Sequence, residues 1–368
     1  MHLGETEMDF IISAVMLIFL LIGAVDYVCG NRLGLGEEFT KGLMTSGRLL
    51  LCMTGFMVLA PALAQAIGPA VAPVFRSFGA DPSAIAGILL ANDSGGAVLA
   101  LKMADSQEAG LFNGLIVGAS MGTTVMFHIP LVMSSTSKES RPAALSGLLI
   151  GIITIPFGCL AGGLAAKFDF QVIFCNTLPV LILAALLVVL LGAFGSQVVP
   201  IFSIIGRFLE LVSLFGLCCA AIKQMTGIEL IHGMGSVDEV FCVVGGITFF
   251  LAGAFPLMAI LQKLLEPVLK IAEHVLGTGK EGIGGILVGM VNGIPAVASL
   301  GTMDAKGRML TTAFLASGSC LIGDHAAFTA QMMPELSGAV LVGKAVGSFT
   351  AIAVCILLGD RLLGDCSK

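Results

Sequence analysis

The chain has 368 residues, of which 57% are hydrophobic and only 11% are charged, and its mean hydropathy is +1.03. Ordinary soluble domains are roughly 45–50% apolar and about 25% charged, so this composition excludes a soluble globular protein. The formal net charge is -6 with no basic stripe, which argues against nucleic acid as a partner. The lipid bilayer is therefore the expected solvent.

Apolar stretches follow one another along the whole chain, and ten or eleven of them are expected to form helices. They lie near residues 8–29, 49–68, 83–104, 110–133, 142–166, 170–194, 199–222, 238–265, 281–300, 308–333 and 339–363. Runs near 20 residues match a hydrocarbon thickness of roughly 30 Å. Since the polar connectors are short, we predict an all-α, polytopic integral membrane protein with one transport domain over residues 1–368.

Two of these segments are interrupted by polar residues and glycines. The third carries Asn92, Asp93 and Ser94 followed by two glycines, and the ninth carries Asn292 and Pro295. Unwound backbone at mid-membrane depth survives only where it lines a cavity or is buried in protein, so such breaks indicate a transporter site. The alternative is that the glycines serve close helix packing.

The two interrupted segments also match each other in position. At an offset of 200 residues Asn92 aligns with Asn292, and the glycines of the segments that follow also align. We therefore predict an internal duplication with halves at 8–166 and 199–363, each containing interrupted helices. Chance matches among the 48 glycines are the alternative. The pattern leaves open whether the halves are inverted or parallel.

Asp93 is the most informative candidate for binding. A carboxylate at the centre of a membrane helix costs about 2.5–3.5 kcal/mol, so it is expected to face a cavity or a partner. An ionised Asp93 would attract a cation, and the Asn92 amide and Ser94 hydroxyl could orient it. The alternative is a structural acid paired within the bundle.

The second half supplies further candidates for the same site. Asp324 and His325 could serve as substrate ligands or as a proton relay, although a local packing pair is the alternative. Asn292 could bind substrate or cap the backbone. The hydroxyls of Thr123 and Thr124 could line the cavity, or could bond to helical carbonyls without functional consequence.

An intramembrane enzyme is the competing class of function. Asp93 and Asp324 could be an aspartyl dyad, or Ser94 and a histidine a nucleophilic pair. Against this, the first glycine of a Gly-x-Gly-Asp element is missing before Asp324, and no nucleophile elbow is present. The ten cysteines are scattered with no C-x-x-C pair, so we expect no metal site and no cofactor.

Several long strings resemble the bacterial ethanolamine-utilisation permease family over nearly the full length. They are AVDYV (24–28), LAPALAQAIGP (59–69), GADPSAIAGILLANDSGG (79–96), GIITIPFGCLAGGL (151–164), NGIP (292–295) and GDHAAF (323–328). The resemblance implies uptake of ethanolamine across the bacterial cytoplasmic membrane. Carriers in general suggest a homodimer. A carrier for another small solute, such as a different amine or an organic anion, remains the alternative.

The physical expectation agrees with this resemblance. Ethanolamine is a primary amine like the lysine head group, whose pKa is roughly 10, so it is almost wholly cationic at neutral pH. A carrier for this cation needs a carboxylate or carbonyl cage for the ammonium and a hydrogen-bond partner for the hydroxyl. Asp93, Asn92 and Asn292 offer such a set.

Overall fold

A computed structural model describes the backbone of residues 3–264 and 266–366 and the side chains of 11–195, 197, 200–264, 267 and 269–359. All regular structure in these parts of the chain is helical, which confirms the all-α prediction. Eight stretches among these residues are long and apolar enough to cross a membrane, so the polytopic membrane architecture is also confirmed. They are Ile11–Val28, Leu35–Ser77, Gln107–Ser135, Arg141–Ala165, Phe170–Phe194, Pro200–Thr226, Val237–Leu264 and Pro334–Gly359.

The α-helices are labelled in chain order. They are α1 (Leu3–Val28), α2 (Leu35–Met44), α3 (Ser46–Ser77), α4 (Ala84–Leu89), α5 (Ala97–Met103), α6 (Gln107–Leu111), α7 (Ile129–Ser135), α8 (Arg141–Ala165), α9 (Phe170–Phe194), α10 (Val199–Thr226), α11 (Val237–Leu264), α12 (Glu266–Leu276), α13 (Lys280–Val291), α14 (Gly293–Ala298), α15 (Ala305–Gly318), α16 (Asp324–Met332) and α17 (Ser337–Cys366). Between α6 and α7 the helix continues with wider, π-type turns at Phe112–Gly122 and Thr124–His128.

The interrupted third segment folds back on itself. We call residues 81–105 hairpin 1; its arms are α4 and α5, whose 6 and 7 residues are each too short to cross a bilayer. The two ends of hairpin 1 lie together, because the backbone N–H of Asp105 donates to Asp81 Oδ2 at 2.9 Å. The turn at the tip requires Gly95, whose φ of 89° is costly for a side-chain-bearing residue.

The interrupted ninth segment forms a second re-entrant element, which we call hairpin 2 (residues 278–304). Its arms are α13 and α14 with the short helical turn Ser299–Thr302. Its ends are tied by the Asp304 carboxylate, which accepts from Thr278 Oγ1 at 2.8 Å and from Gly279 N at 2.7 Å. The predicted third and ninth segments are thus hairpins and do not cross the membrane.

The predicted tenth segment, near 308–333, is also divided. It consists of α15 and α16, separated by a non-helical break at 319–323. Two backbone hydrogen bonds of 2.9 Å tie this break to α13, from Cys320 N to the Gly289 carbonyl and from Ile322 N to the Met290 carbonyl. The break therefore lies beside the tip of hairpin 2.

The two hairpins approach from opposite ends of α8. The open end of hairpin 2 leads into α15, where Thr312 Oγ1 donates to the carbonyl of Ala144 near the start of α8. Near the other end of α8, Gly163 packs against Phe112. The next residue, Asn113, donates from its side-chain amide to Ser83 at the base of hairpin 1. The helical rise from residue 144 to residue 163 is about 28 Å. The hairpins therefore enter from opposite faces of the membrane.

The helix of residues 107–135 lies at the centre, with every residue of Phe112–Gly122 buried. Its small residues allow hairpin 1 to approach closely: a Cβ at Gly122 would overlap the Leu90 carbonyl, and one at Gly118 would touch Asn92. Such close backbone contact through small residues is typical of packing inside membranes. The duplication of 8–166 and 199–363 stays a prediction, and the opposed hairpins favour an inverted relation.

Candidate functional site

A cavity of about 70 Å³ lies between the two hairpin tips. It is lined by Arg48, Leu49, Cys52, Met53, Asp93, Ser94, Thr123, Phe127, His128, Leu131, Asn292, Gly293, Ile294, Ser319, Cys320, Asp324 and His325. A volume of roughly 10–15 Å³ suffices for one water molecule, so this cavity has room for a solute of a few non-hydrogen atoms. Both hairpins, α3, the central helix and the break before α16 contribute to it.

Asp93 lies in the lining, on the turn of hairpin 1. Only 8% of the residue is exposed. Its Oδ1 accepts from Ser94 Oγ at 3.2 Å and lies 3.9 Å from Nε2 of His325. A buried carboxylate beside open volume, with no Lys or Arg within ion-pair distance among the described residues, can receive a cation from outside the protein.

Asn92, also predicted for the site, lies behind the lining. The residue is completely buried, and its Nδ2 donates to the backbone carbonyl of His325 at 3.4 Å. Its Oδ1 is buried without a hydrogen-bond partner among the described residues. Asn92 therefore joins hairpin 1 to α16, and it does so across the two halves of the chain.

Asn292 occupies the matching position at the tip of hairpin 2. Its Oδ1 accepts from Ile294 N at 3.0 Å and so caps α14, which is the backbone role that the sequence left open. The same residue also lines the cavity. Asn292 thus shapes the break and borders the open volume.

Asp324 and His325 begin α16 and both line the cavity. The His325 ring is 3% exposed and lies within 3.4 Å of Thr123 Oγ1, which itself donates to the Gly118 carbonyl at 3.0 Å. Thr124 does not line the cavity, because its hydroxyl donates to the Ala316 carbonyl at 2.7 Å. Thr123 is therefore the cavity-facing member of the predicted threonine pair.

Three basic or titratable side chains at this site were not among the predicted site residues. Arg48 and His128 line the cavity, and Lys344 on α17 reaches His325 from behind. Lys344 is 2% exposed and donates to the Ala119 carbonyl at 2.6 Å. The available signal was a lone lysine within the last apolar segment, since ionisable residues inside a membrane helix are functional candidates by default.

The site therefore contains two acids, Asp93 and Asp324, and two basic side chains, Arg48 in the lining and Lys344 behind it. The acids and the basic side chains are thus equal in number. Among the described residues, no group of three or more His, Cys, Asp or Glu side chains is arranged to hold a metal ion. The arrangement can bind a small polar solute by direct hydrogen bonds and charge.

The sequence profile described as "Ethanolamine utilisation protein, EutH" matches residues 8–358. The chain belongs to the EutH family. A relative from Listeria monocytogenes, named "Probable ethanolamine permease EutH", is 40% identical over 354 residues, which cover 96% of this chain and 95% of the relative.

Other members of the EutH family match almost as completely. A relative from Escherichia coli with the same name is 34% identical and covers 95% of both chains. "Uncharacterized protein YxeR" of Bacillus subtilis is 39% identical and covers 94% of this chain and 92% of its own. No solved structure is a significant match.

Membership of the EutH family decides between the two classes of function left open by the sequence. The relatives from Listeria monocytogenes and Escherichia coli are named as probable permeases, so the chain is a transporter and not an intramembrane enzyme. Together with the eight apolar helices among the described residues, this makes it a multi-pass membrane permease. The resemblance found in the sequence is confirmed, and the roles of the lining residues stay predictions.

Proposed function

We propose that this EutH-family permease carries ethanolamine, as the protonated amine, across the bacterial cytoplasmic membrane through the cavity between the hairpin tips. The names of its relatives supply the substrate. The observation that carries the proposal is the meeting of two opposed re-entrant tips around one cavity that contains a buried carboxylate. That geometry is what a carrier with a single mid-membrane site requires.

The chemistry of the lining suits this substrate. The ammonium group of ethanolamine has three donors and pairs with the carboxylate of Asp93. Its hydroxyl can donate or accept, and the hydroxyls of Ser94 and Thr123 border the same volume. A substrate of four non-hydrogen atoms is compatible with a cavity of about 70 Å³.

The two faces of the site differ in accessibility. The residues of the hairpin 1 turn, Asn92–Gly96, are all buried, whereas Ile294 at the tip of hairpin 2 is 38% exposed. This asymmetry supports a conformation in which the site is reached past hairpin 2. Movement of the opposite hairpin would then open the other face.

The membrane potential is sufficient to drive accumulation. An inside-negative potential of 100 mV is worth about 2.3 kcal/mol per charge, which corresponds to roughly fifty-fold accumulation of a monovalent cation at equilibrium. Coupling to a second ion is therefore permitted but not required. The homodimer expected from carriers in general stays a prediction.

The test is uptake of radiolabelled ethanolamine into proteoliposomes that contain the purified protein. We expect saturable uptake that increases with an inside-negative potential and is reduced at least about tenfold by Asp93→Asn, since a hydrogen bond to a charged group is worth about 1.5–3 kcal/mol. Asp169→Asn, at the start of α9 and remote from the cavity, is the matched control. Absence of saturable uptake by the wild type would defeat the assignment.

A carrier of a small organic anion is the second candidate. The observation in its favour is Arg48, which lines the cavity and whose side chain ends in a guanidinium with the fork geometry that suits a carboxylate. Competition in the same assay separates the two candidates. Ethylamine should compete with labelled ethanolamine under the main proposal, and dicarboxylates should compete only if the anion candidate is correct.

A further inference from the structure

Lys344 is a buried cation that the proposed binding step does not use. It lies in the first third of α17 and is 2% exposed. Its Nζ donates to the Ala119 carbonyl at 2.6 Å and lies 3.0 Å from His325 Nδ1. No carboxylate is within ion-pair distance of Nζ in the described part of the chain. The imidazole is therefore the link between this lysine and the acids of the cavity.

The hydrogen bonds around His325 determine which ring nitrogen carries its proton. A lysine ammonium has only donors, so Nδ1 must accept from Lys344 and the proton of a neutral ring lies on Nε2. Thr123 leads to the same tautomer, because its single hydroxyl proton is given to the Gly118 carbonyl at 3.0 Å. Its oxygen is then free to accept from Nε2, which lies 3.4 Å away.

Nε2, across the ring from Nδ1, also lies 3.9 Å from Asp93 Oδ1, so its single N–H can turn from Thr123 Oγ1 to the carboxylate. The three groups thus form an ordered chain from the donor Lys344 through His325 to the acceptor Asp93. A movement that shortens the distance between Nε2 and Asp93 Oδ1 to about 3 Å, or one water molecule that bridges these atoms, completes the path for the proton from Lys344 to Asp93. The other titratable or charged groups around the ring are Asp324, His128, Cys320 and Arg48, which share the cavity lining.

We propose that Lys344, His325 and Asp93 form an internal proton relay that neutralises the empty carrier, an inference that rests on the proposed function of the same cavity. When the site is empty, Asp93 takes the proton of Nε2, and Nδ1 takes a proton from the Lys344 ammonium. The products are a carboxylic acid, a neutral imidazole with its proton on Nδ1, and a neutral amine. No proton enters or leaves the protein.

Arrival of a substrate ammonium reverses the transfer. Asp93 returns its proton to Nε2, Nδ1 returns one to Lys344, and the ionised carboxylate pairs with the substrate. The loaded carrier then has one more positive charge than the empty carrier, so each substrate moves one charge. The relay lowers the free-energy barrier for the return of the empty carrier. Without it, an unpaired carboxylate and an unpaired ammonium would have to stay buried during the conformational change, which costs free energy.

The test compares two rates in proteoliposomes: counterflow, which is the exchange of labelled for unlabelled ethanolamine, and net uptake of ethanolamine. In counterflow the carrier returns loaded with unlabelled ethanolamine, whereas net uptake requires the empty carrier to return. Lys344→Arg keeps the cation but cannot release its proton, and His325→Gln keeps a donor and an acceptor but cannot pass a proton between them. Lys41→Arg, an exposed lysine paired with Glu38, is the control.

For Lys344→Arg, whose residue is not in the cavity lining, we expect counterflow within about twofold of the wild type and net uptake reduced at least about tenfold. For His325→Gln, whose residue lines the cavity, we expect net uptake to fall further than counterflow does. The control should change neither rate. Net uptake at the wild-type rate in both variants would overturn the relay. Equal loss of counterflow and net uptake in Lys344→Arg, with the variant eluting as a monodisperse protein, would also overturn it, because Lys344 would then act in binding or in structure.

An infrared measurement on the empty protein tests the relay without transport. The wild type should show the C=O band of a protonated carboxylic acid that Asp93→Asn removes and that Lys344→Arg also removes. Absence of such a band in the wild type overturns the relay. A wild type that shows the band but no ethanolamine counterflow would defeat the proposed substrate and leave the relay standing, so the two failures are distinguishable.

Discussion

The side-chain amide of Asn92 donates to the backbone carbonyl of His325 at 3.4 Å, and this contact joins hairpin 1 to α16 across 233 residues of sequence. Asn92 is completely buried, so its substitution cannot be compensated by water from outside. We expect Asn92→Ala to destabilise the fold by about 1 kcal/mol, the typical value of a neutral hydrogen bond.

The measurement for Asn92→Ala is the apparent melting temperature of the purified protein in detergent, with Ser134→Ala, on an exposed position of α7, as the control. A decrease for Asn92→Ala alone is the expected outcome. An unchanged melting temperature would mean that this contact contributes nothing to the joining of the two elements.

Asp324→Asn is expected to weaken ethanolamine binding less than Asp93→Asn. Asp324 begins α16, where the positive end of the helix dipole already offsets part of its charge, by about 0.3–1 kcal/mol. We expect the dissociation constant to rise roughly fivefold or less for Asp324→Asn, measured by isothermal titration calorimetry. A larger effect than that of Asp93→Asn would transfer the ammonium site to Asp324.

The size of a substrate and its ability to donate hydrogen bonds should both limit which amines the permease accepts. Choline has three methyl groups on its nitrogen, so its ammonium cannot donate hydrogen bonds to Asp93 and needs more room than a cavity of about 70 Å³ offers. We expect choline to compete with labelled ethanolamine at least about tenfold less strongly than ethylamine does. Equal competition by choline would mean that the ammonium is held by charge alone in a wider site.

Hairpin 2 should depend on the Asp304 carboxylate at its base. Burial raises the pKa of Asp304, but hydrogen bonds from Gly279 N, Gly307 N and Thr278 Oγ1 outweigh it and lower the pKa below its usual value. A carboxyl whose pKa is lower in the folded protein stabilises it above the unfolded pKa of about 3.9, and this stabilisation disappears as the pH falls through the folded value.

We therefore expect Asp304→Asn to lower stability near pH 7 by about 1 kcal/mol, a value reduced for the exposure of this residue. The difference between the variant and the wild type should vanish at pH values well below 3.9. Thermal unfolding in detergent across this pH range measures it, with the neighbouring Glu281→Gln as the control. A difference that is constant with pH would contradict the role of the charge.

The contact between the central helix and hairpin 1 should tolerate no side chain at Gly122. A Cβ there would overlap the backbone carbonyl of Leu90, which cannot move without displacing the hairpin. We expect Gly122→Val to cost at least about 1–3 kcal/mol. Gly192→Val in α9, where no atom lies within 4 Å of the added Cβ, is the matched control.

The readout for Gly122→Val is the yield of monodisperse protein after extraction from membranes. A strong decrease for this variant, with normal yield for Gly192→Val, is the expected result. Normal yield and normal uptake for Gly122→Val would show that hairpin 1 can shift away from the central helix without functional loss.

The sequence by itself determined the solvent, the fold class, the family and the positions of the two breaks. These follow from local composition, because long apolar runs require lipid and because polar residues with Gly or Pro interrupt a helix wherever they occur. Asp93 and Asp324 were also identified at this level, since a carboxylate within an apolar run is costly whatever surrounds it.

Only the tertiary structure decided that the segments near 83–104 and 281–300 fold back and do not cross. An interrupted run of about 20 residues has the same composition in either arrangement, and the difference lies in long-range contacts such as that of Asp105 with Asp81. The same reason applies to Lys344: its place in α17 is visible in the sequence, but its contact with His325 depends on the packing of α16 against α17.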